Sequence, residues 1–145
     1  MQNNLQPLPD IRNIVIRVNS NSTGIFSRIP EPIVLLESDI SQTIGDDCVH
    51  ISEFIVAKIN GLIPGLDGHP EITDDIFHRL PSNISNPLRI AVDKRSLNKY
   101  LFIAEKPAHL IVIEVKRAES GKTEINTVYR IDRKEQRRLD KFPTA

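Results

Sequence analysis

"HLIVIEVKRAESGKTEINTVYRI", residues 109–131, decides how this chain is read. Ile111, Ile113 and Val115 recur at every second position, the period of a strand with a buried face. "AESGK" then brings turn chemistry, and its Gly121 is free to take a positive φ. The alternation resumes through "TEINTVYRI", so the stretch is expected to form a β-hairpin. Upstream, "LRIAVD" and "KYLFIA" have the same texture. Pro107, in "EKPAH", belongs to a connection, because a central strand has no place for a residue without an N–H. Four strands in succession predict an antiparallel meander.

The chain before residue 88 has a different period. Ile51, Phe54, Ile55, Ile59 and Leu62 recur at helical spacing, with Asp46 or Asp47 as the cap and Gly61 as the left-handed end. "TDDIFHRLP" reads as a second helix, capped by Thr73, favoured at its start by Asp74 and Asp75 and stopped by Pro81. Before these, Ile33 to Leu36 forms a short strand. One or two helical turns follow it, from Ser38 to Gly45. The first 30 residues, rich in Asn, Ser and Pro, are expected to be loosely organised, with an edge strand at Ile14–Ile16. Asp132 and Glu135 form a capping box for a closing helix through Leu139. Helices first and strands after predict an α+β fold. N-terminal helices pack on a four-stranded antiparallel meander, a short C-terminal helix closes the chain, and residues 31–145 form a single domain.

Composition narrows the classes of function. No apolar run approaches the ~18 residues of a membrane span, and "MQNNLQPLPD" lacks the basic and apolar regions of a signal peptide. Cys48, the sole cysteine, excludes an internal disulfide. The expected setting is the cytoplasm, without membrane association. The net charge of zero hides an asymmetry: residues 1–87 carry five basic and eleven acidic residues, residues 88–145 fourteen and eight. A basic side on a neutral protein can still engage an anionic polymer.

Phosphate-binding glycine loops and the HExxH, CxxC and GxSxG motifs are absent. His50, His69, His78 and His109 lack metal-ligand spacing, so neither a metal nor a cofactor is expected. His69 lies between Gly68 and Pro70 in a loop before a capped helix, where an imidazole can act as general acid or base. The alternative is that it packs against the adjacent turn. On the last strand, parity groups Ile125, Thr127, Tyr129 and Ile131 on a core-like face, and Asn126, Val128 and Arg130 on a wetter one. Arg130 offers a fork of donors to a phosphate. Thr127 and Arg130 can share a cleft only if a bulge or the strand end re-aims one of them. β-Propensity alone would account for Thr127, and a core-edge position for Tyr129. Arg133, Arg137 and Lys141 recur four apart on the closing helix, with Lys134 and Arg138 beside them, a face for nucleic-acid backbone or simply for solvent.

Taken together, "PGLDGHPEIT", "FHRLPSNISNPLRI", "KYLFIA", "HLIVIEVK" and "EINTVYRI" resemble the barnase–EndoU–colicin–RelE (BECR) superfamily of nucleases, in its phage-associated and polymorphic-toxin branches. The resemblance spans roughly residues 33–132 and lies in the order of elements more than in any one motif. It implies helices on one sheet face, an RNA cleft on the other, and RNA cleavage without metal by attack of a 2′-hydroxyl on its neighbouring phosphate. By position His69 matches the family's helix-side histidine, and Thr127, Tyr129 and Arg130 its last-strand polar set. Asn126, Lys106, Arg133, Lys134, Arg137 and Arg138 are then expected to contact nucleic acid. The expected function is an endoribonuclease toxin cleaving RNA, tRNA among the candidates, held in check by an acidic immunity protein or antitoxin. The alternative is a non-catalytic module that binds nucleic acid or protein, such as a phage structural component or an immunity or adaptor domain.

Overall fold

The computed structural model describes residues 8–92, 99–106 and 109–145; of Glu105, Lys106, His109 and residues 133–135 it describes the backbone alone. Its centre is one six-stranded sheet. The strands are β1 (Glu31–Leu35), β2 (Cys48–Ile51), β3 (Arg89–Val92), β4 (Lys99–Lys106), β5 (His109–Arg117) and β6 (Thr123–Ile131), in the order β1-β2-β6-β5-β4-β3. The meander β3–β6 is antiparallel throughout, and the α+β class holds. The sheet is wider than four strands because the β1–β2 hairpin joins it, β2 running parallel to β6 through the registered pair His50 and Glu124.

Three local expectations give way to tertiary structure. Residues Ile11–Asn19 form helix α1 rather than a loose segment with an edge strand. Asp10 Oδ1 accepts the Arg12 N–H at 2.9 Å, and Ile11, Ile14, Val15 and Val18 are buried at helical spacing. The long helix expected after Asp46 is divided. Cys48–Ile51 pairs with β1 as a strand, and Ser52 caps the shorter α3 (Glu53–Ile59), its Oγ accepting the Ile55 N–H at 3.2 Å. Helix α4 (Asp74–Ser85) runs through Pro81 instead of stopping there. The proline forfeits one backbone hydrogen bond, and the extra turn buries Ile84 completely. Helices α2 (Ser38–Ile44), ended by Gly45 at φ 78°, and α5 (Arg133–Asp140) lie where the sequence places them.

The two faces of the sheet are unlike. On one, α1, α3 and α4 enclose the main core, to which β4–β6 contribute Phe102, Ala104, Ile111, Ile113, Val115, Ile125 and Val128. On the other, Leu139 of α5 packs on a smaller apolar floor of Ala91, Leu101, Ile103, Val112 and Ile131, with Tyr129 and Phe142 at its margin. Arg89 holds this cover in place. Its guanidinium donates to the Leu139 carbonyl at 3.1 Å, to the Phe142 carbonyl and to Thr144 Oγ1 at 3.0 Å. The last residues then run antiparallel along β3, with Ala145 N–H donating to Ile90 O at 2.9 Å. Among the described residues, α5 and the terminal segment cover only the part of this second face that holds the apolar floor.

Candidate functional site

The uncovered half is polar because of one extra residue in β6. Val115 pairs with Ile125 but Glu114 pairs with Thr127, so Asn126 is a bulge without an opposite number. Beyond it the parity of the strand inverts. Ile125 and Val128 both enter the main core, and Thr127 and Tyr129 turn to the open face. The face assignment expected from simple alternation is therefore reversed. Arg130, opposite Ile111, leaves β6 on the helix side. The bulge lies upstream of both residues, so Thr127 and Arg130 still point apart.

Three contacts fix the bulge and its surroundings. Lys58 Nζ, from α3, donates to the Asn126 carbonyl at 2.9 Å. The Asn126 amide donates to Glu114 Oε1 at 3.0 Å, and Lys99 Nζ lies 3.1 Å from the same carboxylate oxygen. That pair is mostly shielded, with side-chain exposures of 18% for Lys99 and 13% for Glu114. Beside Glu114, the Thr127 hydroxyl oxygen is shut from solvent and has no hydrogen-bond partner among the described residues.

His69 reaches this face at the β6 edge. Its ring lies 6.3 Å from that of Tyr129, centroid to centroid, tilted by 35°. The loop that carries it is tied down by its backbone: His69 N–H donates to Ile59 O at 2.7 Å, and His69 O accepts from Ile72 N–H at 2.9 Å. Gly68 presses on Gly61, which takes φ 75° after the end of α3. His69 Nδ1 lies 3.1 Å from Glu71 Oε1. A carboxylate there favours the proton on Nδ1 and leaves Nε2 with the lone pair.

The structure thus brings His69, Tyr129, Thr127 and Asn126 to one side of the sheet and leaves Arg130 on the other. Arg137 and Arg138 stand exposed on α5. The side chains of Lys106, Arg133 and Lys134, like that of the expected capping residue Glu135, lie outside the described residues. Sequence reasoning missed Glu114, Lys99, Glu71 and Lys58. Glu114 had a signal, a lone carboxylate inside the apolar run "LIVIEV". The others become visible only when the sheet assembles.

Among the described residues, no cluster of three or more His, Cys, Asp or Glu is arranged to hold a metal ion, and no helix is long and apolar enough to cross a membrane. Comparison with protein-family models, curated proteins and solved structures finds no match to this chain. Fold and site together define an α+β domain in which a carboxylate-backed histidine stands beside Tyr129, on the sheet face that also carries the Thr127 hydroxyl, the Asn126 amide and the Lys99–Glu114 pair.

Proposed function

We propose that this chain is a metal-independent endoribonuclease of the BECR kind, acting in the cytoplasm as the toxin of a toxin–immunity or toxin–antitoxin pair. The observation that carries the reading is His69, backed by Glu71 and set against Tyr129, two positions along the same face from the unpartnered Thr127 hydroxyl. A histidine whose Nδ1 is held by a carboxylate presents Nε2 as a proton carrier. Here Nε2 takes the proton of a ribose 2′-hydroxyl. The 2′-oxygen bonds to the adjacent phosphorus, the bond from phosphorus to the 5′-oxygen breaks, and the imidazolium returns the proton to that leaving oxygen. The products are a 2′,3′-cyclic phosphate and a 5′-hydroxyl.

Negative charge builds on the phosphate oxygens in the transition state, and donors already in place stabilise it. The Lys99 ammonium is the donor on this side of the sheet; the Thr127 hydroxyl, shut from solvent, must turn outward to join it. Arg130, on the helix side, has no part in this mechanism, and Tyr129 serves as a wall for the imidazole. The exposed arginines of α5 offer charge complementarity to an acidic inhibitor.

The test is purified protein on total bacterial RNA in the presence of EDTA. Cleavage leaving cyclic phosphate ends is expected, and His69→Ala should lower the rate by roughly 10²-fold or more, the usual share of a positioned acid–base group. Intact RNA, or equal cleavage by His69→Ala, overturns the proposal.

A further inference from the structure

The edge of β6 next to β2 is left open for most of its length. β2 registers with β6 at one position only, His50 with Glu124, and Ser52 then turns the chain into α3. Beyond Glu124, among the described residues, no strand pairs with this edge. Two side chains reach it instead. Lys58 arrives at Asn126, its Nζ 2.9 Å from the carbonyl oxygen, and His69 arrives at Tyr129, with 6.3 Å between ring centroids.

The last turn of α3 places both. Lys58 and Ile59 are consecutive there: the first sends its own side chain to the bulge, and the second accepts the His69 N–H at 2.7 Å. Their targets on β6, Asn126 and Tyr129, are three residues apart, at most roughly 10 Å along the strand. A phosphate group with a hydrogen bond at either end reaches about 8 Å. One phosphodiester and its ribose can therefore join an ammonium and an imidazole held at that spacing.

Charge and exposure set Lys58 apart from Lys99. Lys99 is mostly shielded, and its charge is met by Glu114. Lys58 is only partly buried and is bonded to a neutral carbonyl; among the described residues no carboxylate forms an ion pair with it. The carbonyl occupies one of the ammonium's three donors and neutralises none of its charge. Asn126 beside it is exposed, as is 37% of the His69 side chain, so a ligand can reach both groups. Water would serve an exposed carbonyl nearly as well, so capping the bulge does not by itself require a cation here.

We infer that Lys58 is a second catalytic residue of the His69 site. Its ammonium contacts a non-bridging oxygen of the phosphate under attack and stabilises the negative charge that builds there, while His69 takes the 2′-hydroxyl proton. The role in the reaction rests on the ribonuclease reading; the contact with phosphate does not.

The test uses a single-stranded RNA 12-mer and its 2′-deoxy counterpart, which lacks the nucleophile and stays intact. Lys58→Gln keeps a donor for the Asn126 carbonyl and drops the charge; Lys58→Arg keeps both. On RNA, kcat should fall roughly 10²-fold in Lys58→Gln, the usual share of one such donor, and within about tenfold in Lys58→Arg. On the 2′-deoxy strand, Lys58→Gln should reduce the slope of log K against log salt by about one counterion, the mark of one lost phosphate contact. An unchanged slope with unchanged kcat overturns the inference. So does a lower urea midpoint as the sole change, which would make Lys58 a cap of the bulge. A reduced slope without cleavage by wild type supports the phosphate contact and removes the ribonuclease reading. Cleavage indifferent to Lys58 keeps that reading and overturns this one.

Discussion

Thr127 keeps a hydroxyl oxygen away from water without giving it a partner, an arrangement that costs about 1–3 kcal/mol relative to a satisfied group. A side chain kept for stability alone would be better served by valine, which has the same shape and loses nothing that is now bonded. Thr127→Val should therefore leave the midpoint of urea denaturation unchanged or raise it. RNA cleavage should fall at least about tenfold, through loss of a donor to the phosphate. A lower midpoint with full cleavage would assign Thr127 to the fold instead. The same split applies to what was legible at this scale. His69 could be singled out from its Gly–His–Pro setting, but Glu71 as its partner depends on how the loop folds.

At the scale of elements, the loop from Gly61 to His69 shows how a short segment aims a side chain. A Cβ added at Gly68 would lie 2.5 Å from Gly61 N, 2.6 Å from Gly61 Cα and 2.8 Å from Ile59 O, all backbone atoms that have no rotamer to change. Gly68→Ala should cost about 1–3 kcal/mol, the range for overpacking a closed site. By shifting the next residue it should also reduce cleavage more than KM changes. Stability within about 0.5 kcal/mol of wild type would show that the loop can open without penalty. Strand β6 gives the complementary case. Its existence was plain from alternation, but its faces were not, because the Asn126 bulge is held by Lys58 from α3 and by Glu114 from β5. One inserted residue inverts every later side chain, and nothing in "TEINTVYRI" marks where it falls. Helix α1 was legible and passed over: Ile11, Ile14, Val15 and Val18 carry the helical period, masked by the loop-like residues on either side.

For the whole molecule, the vulnerable joint is where the β1–β2 hairpin meets the meander. Asp46, just before β2, accepts the Thr123 hydroxyl at 2.8 Å and the Thr123 N–H at 3.2 Å, with Arg117 3.9 Å away. Burial pushes the Asp46 carboxyl up, but hydrogen bonds from Thr123, Asp47 and Cys48 together outweigh it, and its pKa lies below the ordinary value. A carboxylate lowered in the folded state stabilises fully above its unfolded pKa and loses that contribution as pH falls through the folded one. Asp46→Asn should thus be less stable than wild type at pH 7, with the gap closing as pH drops below about 4. Thermal melts across that range check this; a gap that is constant with pH would mean the charge is not what matters. By itself the sequence determined the meander, the helical period of the chain before it, the terminal helix and the prominence of His69, since all of these are written in local spacing and turn chemistry. Only the tertiary structure decided the six-stranded sheet, the side of β6 that faces solvent, and the company His69 keeps. Parallel joining, bulge position and cross-strand pairing depend on residues far apart in the chain, and their energies exist only once the strands are side by side.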